Sequence, residues 1–242
     1  MPTATEQKSI STLSQRLGAL DDKVVSRLNE ISHSVSSLAG RSIIIEGDPA
    51  ISVFSLQHGI ASVFKLLPDG RRQITGFLYP GDFLGVTFNM DAEYGYGAEA
   101  VTHCTLRAWP RPALEHLFDE APGLRRLFLA KIADELTEAQ DRMLMLGHRS
   151  IEERVAAFLL TMARRQAGAT GIRIEIVDIP MRWADIADYL GTTAETVSRT
   201  LSAFRDRGIV RTGKRGEIGI LNWPALEAHA AGVKAQEGEI NR

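Results

Sequence analysis

The sequence predicts an α+β chain in three parts: an antiparallel β-sandwich or roll, a long helix after it, and a C-terminal winged helix-turn-helix. Three observations carry this. Gly47, Gly59, Gly70 and Gly81 recur at intervals of 12, 11 and 11 residues, and glycine turns at that spacing between short strands mark a sandwich or roll. Leu124, Phe128, Ile132, Leu136, Ala139, Met143 and Leu146 then follow steps of four and three with no proline or glycine between them, which is a helical seam. Finally, Ile186–Leu201 reads as two short helices joined by a turn at Gly191.

Residues 1 to about 8 are polar and belong to a frayed end. From Ile10 to Leu38, apolar residues (Leu13, Leu17, Leu20, Val24, Leu28, Ile31, Val35) recur at helical spacing and predict one or two helices. Strand-like runs follow at Ser42–Glu46, Ser52–Gln57, Ile60–Leu67 and Arg72–Leu78, with a last strand at about Cys104–Trp109. Pro68-Asp69-Gly70 is a turn, because proline presets one turn residue and glycine accepts positive φ. The seam over Gly123–Leu146 is either a helix packed on its own domain or, as preferred here, the parallel pairing helix of a homodimer. Gly147-His148-Arg149-Ser150 reads as a hinge, with Ser150 and Glu153 forming a capping box for the next helix. Strand-like Ile172–Val177 precedes the helix-turn-helix. Ile209–Arg211 and Ile218–Leu221 flank Gly213-Lys214-Arg215-Gly216 as a basic-tipped wing. The expected domains are an N-terminal extension (1–20), the roll (21–122), the dimerisation helix (123–147), the winged helix-turn-helix (148–234) and a polar tail (235–242).

At about 100° per residue, Val197, Leu201 and Phe204 share one face of the second short helix, while Glu195, Ser198, Arg199 and Ser202 share the other. Arginine bonds guanine through two acceptors, and a carboxylate accepts from the cytosine amino group. Double-stranded DNA is therefore the expected partner. Thr192 and Glu195 also satisfy a capping-box pattern, which offers Glu195 a purely structural role.

Composition agrees. The chain has 242 residues, 44% hydrophobic and 24% charged, with net charge −2; it is an ordinary globular composition and excludes a general nucleic-acid coat. Met181–Trp223, however, holds seven Lys/Arg against five Asp/Glu, the sign a phosphate-facing module needs. One cysteine excludes an intramolecular disulfide. The absence of a signal-type apolar start and of a membrane-length run reads as cytoplasmic. Gly95-Tyr96-Gly97-Ala98-Glu99-Ala100 fits a loose dinucleotide fingerprint but lacks its strand–helix context, and no hydrolase, metalloprotease or P-loop motif is present. No enzyme is expected, and no catalytic or metal site.

Asp185-Ile186-Ala187-Asp188-Tyr189-Leu190-Gly191 followed by Glu195-Thr196-Val197-Ser198-Arg199 resembles the Crp/Fnr superfamily of bacterial transcription regulators. So do Gly81-Asp82-Phe83-Leu84-Gly85, Leu66–Ile74 and Glu153–Leu160. The resemblance runs from about Leu20 to Ala230 and looks closest to the Fnr and FixK-like branches. It implies a cyclic-nucleotide-binding-type jelly roll and a homodimer on a TTGAT-type palindrome. It further implies base contacts from Glu195, Ser198 and Arg199, phosphate contacts from Arg182, Thr193, Thr196 and Lys214, and an interface containing Leu124, Phe128, Ile132, Leu136, Ala139 and Met143. RNA polymerase is the implied partner of an activator, in an oxygen, redox or nitrogen-oxide response. The family's threonine-arginine opening of the first helix is replaced by Arg182-Trp183.

The expected cofactor is none. The resemblance places the arginine-serine pair by which the family's cyclic-AMP-binding members hold the cyclic phosphate at positions that read Tyr94-Gly95 here, and no arginine lies between Arg72 and Arg107. A single cysteine cannot hold a four-iron cluster. Cys104 is either a small buried strand residue or a redox-active thiol. His33, His58, His103, His116 and His148 show no spacing of an axial pair, which leaves a haem- or small-molecule-dependent sensor as the alternative.

Overall fold

The computed structural model describes residues 21–86, 93–167, 173–213 and 216–232. The N-terminal extension, the wing tip with Lys214 and Arg215, the start of the Ile172–Val177 run and the polar tail lie outside the described residues. The chain divides into two units, Met1–Glu138 and Ala139–Arg242.

Asp21 caps α1 (Asp22–Glu30) by accepting a hydrogen bond from the Lys23 amide at 2.9 Å. The predicted helical run stops there. Val35, expected on a helix, lies in β1 (His33–Ser37), which pairs antiparallel with β8 (Cys104–Pro110). His33-Ser34-Val35-Ser36-Ser37 has the alternation of an edge strand, and the backbone ladder to β8 decides its conformation over helical spacing.

The remaining strands of the first unit are β2 (Ser42–Ile44), β3 (Ser52–His58), β4 (Ala61–Leu66), β5 (Arg72–Leu78), β6 (Phe83–Leu84) and β7 (Gly97–Ala100). They form two antiparallel sheets in the orders β1-β8-β3-β6 and β2-β7-β4-β5. Ile44, Leu56, Ala61, Leu84, Ala98, Ala100, Cys104 and Leu106, drawn from both sheets, form one core cluster. Strand parity sends Val53, Phe83 and Trp109 to the opposite face of the first sheet. There they pack with Leu28 of α1, Leu114, Leu117 and Phe118 of α2 (Arg111–Glu120), and Leu124, Leu127 and Phe128 of α3 (Pro122–His148). The loose fingerprint at Gly95–Ala100 opens no helix; most of it is β7, between β2 and β4. Gly97 serves packing, since a methyl there would come within 2.5 Å of the Phe64 ring.

Helix α3 thus packs first on its own unit. Leu124 and Phe128 are 0% and 2% exposed within their own unit, so these two residues, expected at a dimer interface, have no surface left to offer. The free apolar stripe lies further along, at Leu129, Leu136 and Met143, 48%, 59% and 73% exposed. The bulky core of the first unit claims the first two turns of the helix. One buried ion pair also ties α3 to the roll: Lys131 Nζ lies 3.0 Å from Asp82 Oδ1, with their side chains 14% and 5% exposed. Asp82 Oδ2 accepts from the Tyr79 amide at 3.0 Å.

The second unit contains α4 (Ile151–Ala167), β9 (Ile176–Asp178), α5 (Trp183–Tyr189), α6 (Ala194–Asp206), β10 (Val210–Thr212), β11 (Glu217–Ile220) and α7 (Trp223–Ala230). Ser150 Oγ accepts from the Glu153 amide at 3.3 Å, as the capping box requires. Val155, Phe158, Leu159 and Met162 are buried along α4. β10 and β11 form the expected wing hairpin and, with β9, a three-stranded antiparallel sheet.

Removing one partner of a desolvated ion pair strands the other charge. Lys131→Met should therefore destabilise the chain by about 3–5 kcal/mol in urea unfolding; a loss under about 1 kcal/mol would show that Asp82 is satisfied without the lysine.

Candidate nucleic-acid interface

Helix α5 begins at Trp183, with Arg182 at the cap position, where its side chain does not cap the helix backbone. Ile186 and Ala187 are buried and seat it on the unit. The chain leaves it at Leu190 and turns through Gly191, whose φ of 63° suits a residue without Cβ. The Thr192 amide closes the turn on Ala187 O at 2.9 Å. Thr193, extended at φ −105° and ψ 155°, caps α6 and accepts from the Thr196 amide at 3.3 Å. The cap is thus Thr193 rather than Thr192, because the Gly191 turn uses Thr192 to finish the preceding helix.

Along α6, Val197, Thr200, Leu201 and Phe204 are buried, while Glu195, Ser198 and Arg199 are exposed. Burying one branched or aromatic side chain is worth about 1.5–3 kcal/mol, so three of them hold the helix in one rotational setting. Thr200 joins the inner face without penalty, since its hydroxyl donates to Thr196 O at 3.0 Å. The exposed side chains are close together. Arg199 Nη2 donates to Thr196 Oγ1 at 3.2 Å, and the Thr193 and Thr196 hydroxyls are 3.0 Å apart. The Glu195 carboxyl is held below the usual carboxylate range, first by its own backbone N–H, then by the Thr193 hydroxyl, and least by Arg199. Without DNA it therefore rests as an anion against the helix N-terminus, where the macrodipole favours it.

The structure brings Thr193, Glu195, Thr196, Ser198 and Arg199 onto one exposed edge. Arg182 lies apart in role: its Nε and Nη2 bond the Asp185 carboxylate at 2.8 and 3.0 Å. Lys214 lies outside the described residues. Glu152 and Arg154 at the start of α4 carry no role predictable from their spacing, yet Arg154 donates to Leu190 O in the helix-turn-helix turn. The signal in the sequence is the Glu153–Leu160 motif, which contains Arg154 and directly follows Glu152.

In the roll, Arg72 Nη1 lies 2.9 Å from Glu99 Oε2 and its guanidinium stands 5.4 Å from the Phe64 ring centroid. Cys104 is fully buried, its thiol 3.2 Å from Ile60 O, and burial pushes its pKa up. That environment favours the thiol over the reactive thiolate and supports the packing role for Cys104. Among the described residues, no group of three His, Cys, Asp or Glu is placed to hold a metal ion, and no helix is long and apolar enough to cross a membrane.

Known proteins share this arrangement. Residues 153–229 match a Crp-like helix-turn-helix domain and residues 35–121 a cyclic nucleotide-binding domain. The chain is 36% identical over 213 residues to the nitrogen fixation regulation protein FixK of Bradyrhizobium diazoefficiens, covering 88% of each chain. It is 34% identical over 203 residues to the transcriptional activator protein FnrL of Cereibacter sphaeroides, covering 82% of this chain and 81% of that one. The structure of FixK2 from Bradyrhizobium japonicum superposes with a TM-score of 0.73 at 37% identity, over 81% of this chain and 96% of that one.

The buried thiol yields a direct expectation. Cys104 in the folded protein should resist a thiol reagent at pH 8 and react fully once denatured. Rapid modification of the native chain would instead mark an accessible, ionisable sulfur.

Proposed function

The chain belongs to the Crp/Fnr family of DNA-binding transcription regulators, which are not enzymes, and within it we propose a homodimeric activator that reads a TTGAT-N4-ATCAA-type palindrome. The observation that carries this reading is the exposed Glu195-Ser198-Arg199 edge of a helix whose opposite face is buried. Arg199 reads guanine through two acceptors, Glu195 accepts an exocyclic amino group, and Ser198 adds a hydroxyl. Thr193, Thr196 and Lys214 hold the helix to phosphates without reading sequence. Arg182 joins them only by exchanging Asp185 for a phosphate oxygen.

Pairing runs along α3. Leu129, Leu136 and Met143 stand at seven-residue intervals, and Ile132, Ala139 and Leu146 fall at the alternate steps of a heptad. Two such helices place two recognition helices on half-sites about one turn of DNA apart. Activation agrees with the name of the relative FnrL, and RNA polymerase is the partner such an activator contacts.

No cyclic-AMP response is expected of the roll. The cyclic phosphate would need a cation or a nest of amides, and Arg72 is already engaged with Glu99. One cysteine in the sequence cannot ligate a four-iron cluster. The signal therefore acts without either group, in an oxygen, redox or nitrogen-oxide response.

Mobility shifts on the palindrome and on a scrambled duplex test the reading. Arg199→Ala should cost about 1–3 kcal/mol per half-site and flatten preference at one base pair; equal losses on both duplexes would rule out base readout. Lys214→Ala should weaken binding to both and lower the salt slope by about one unit per subunit. Leu136→Glu should halve the mass in sedimentation at micromolar concentration, and an unchanged dimer would move the interface elsewhere.

A further inference from the structure

One turn of α4 grips the recognition helix near both of its ends. Arg154 Nη1 donates to the carbonyl of Leu190, the residue that ends α5, and stands 3.5 Å from Gly191 O. These are the carbonyls at the negative end of α5, which a guanidinium stabilises. The fit is close on both sides, since a methyl at Gly191 would come within 3.4 Å of Arg154 Nη1 and 3.3 Å of Leu146. Arg154 Nε is buried with no hydrogen-bond partner. A charged group that gives up water on one edge stays only where its remaining bonds outweigh that cost. Three residues after Leu190 stands Thr193, the cap of α6.

Two residues before Arg154, Glu152 holds the other end. Its carboxylate takes both Nη atoms of Arg207, the C-cap of α6, at 3.0 and 3.4 Å. His229 Nδ1 stands 3.7 Å from the same carboxylate. The His229 ring lies 5.1 Å from that of Phe204, which is buried under the helix. Neither grip involves Glu195, Ser198 or Arg199.

We propose that Arg154 is a positioning residue for sequence discrimination, fixing the start of the recognition helix while Glu152 fixes its end. This rests on the DNA-reading role of α6 given above. Paired hydrogen bonds to a base edge fail when the helix shifts by about 1 Å. Long, flexible phosphate contacts survive such a shift, because their attraction does not depend on register. Loss of Arg154 therefore falls on discrimination before it falls on general affinity.

The test uses the full chain, with Arg154→Met, Arg154→Lys and Glu152→Gln, on the palindromic and the scrambled duplex at one salt concentration. Amide exchange of the DNA-free protein is followed alongside. Arg154→Met should weaken palindrome binding about tenfold or more while scrambled binding changes by less than about twofold. Exchange should quicken at residues 191–196 and not along the rest of α6. Arg154→Lys, which keeps a cationic donor for Leu190 O, should recover much of the discrimination, and Glu152→Gln should show a smaller loss of the same kind. Undiminished discrimination by Arg154→Met would overturn this inference alone. So would a parallel loss on both duplexes accompanied by exchange rising throughout the unit, the mark of a merely structural residue. Failure of the unaltered chain to discriminate would overturn the DNA-reading role itself, and the inference with it.

Discussion

The anchoring of α6 through Val197, Leu201 and Phe204 is the constraint on which the functional account depends. A helix held by three buried side chains has one rotational setting, and that setting decides which residues meet solvent. Glu195, Ser198 and Arg199 face outward because the inner face is apolar, and their closeness follows from the helical repeat. The Gly191 turn and the Thr193 cap fix where the helix starts. Rotation and start together place each donor and acceptor, which is all that a base-reading edge requires.

Helix α3 changes its surroundings along its length. Its first turns complete the core of the roll with Leu124, Leu127 and Phe128. Beyond them, Leu129, Leu136 and Met143 emerge on a face left to solvent. Exposed aliphatic side chains at a heptad interval are costly for a lone helix and suited to a second copy. The buried Lys131–Asp82 pair, two residues after Leu129, joins the helix to the Gly81-Asp82-Phe83 turn.

Much of this was legible in the residues. Glycine turns and alternating runs marked most of the roll, and the amphipathic pattern of 194–206 marked the exposed edge. Where structure and sequence pattern differ, the cause is physical. Val35 of β1 fits a helical step as well as an alternation, and only its pairing with β8 distinguishes the two. β7 leaves little trace in the sequence because Gly97, Ala98 and Ala100 carry little side-chain signal; the smallness of Gly97 answers to the Phe64 ring, which spacing does not reveal. The seam of α3 was continuous in sequence, so spacing alone did not separate the turns spent on the roll from those left exposed. The grips of Glu152 and Arg154 join residues 36 to 55 positions apart and leave no local pattern.

Methylation interference at the guanine of each TTGAT half-site tests the central claim most directly, because N7 methylation blocks an acceptor that Arg199 is proposed to use. The account predicts that this modification abolishes binding by the unaltered chain and adds little to the loss already caused by Arg199→Ala. Binding that tolerates the methyl group, or an equal penalty in both proteins, would contradict an outward-facing Arg199 reading that base.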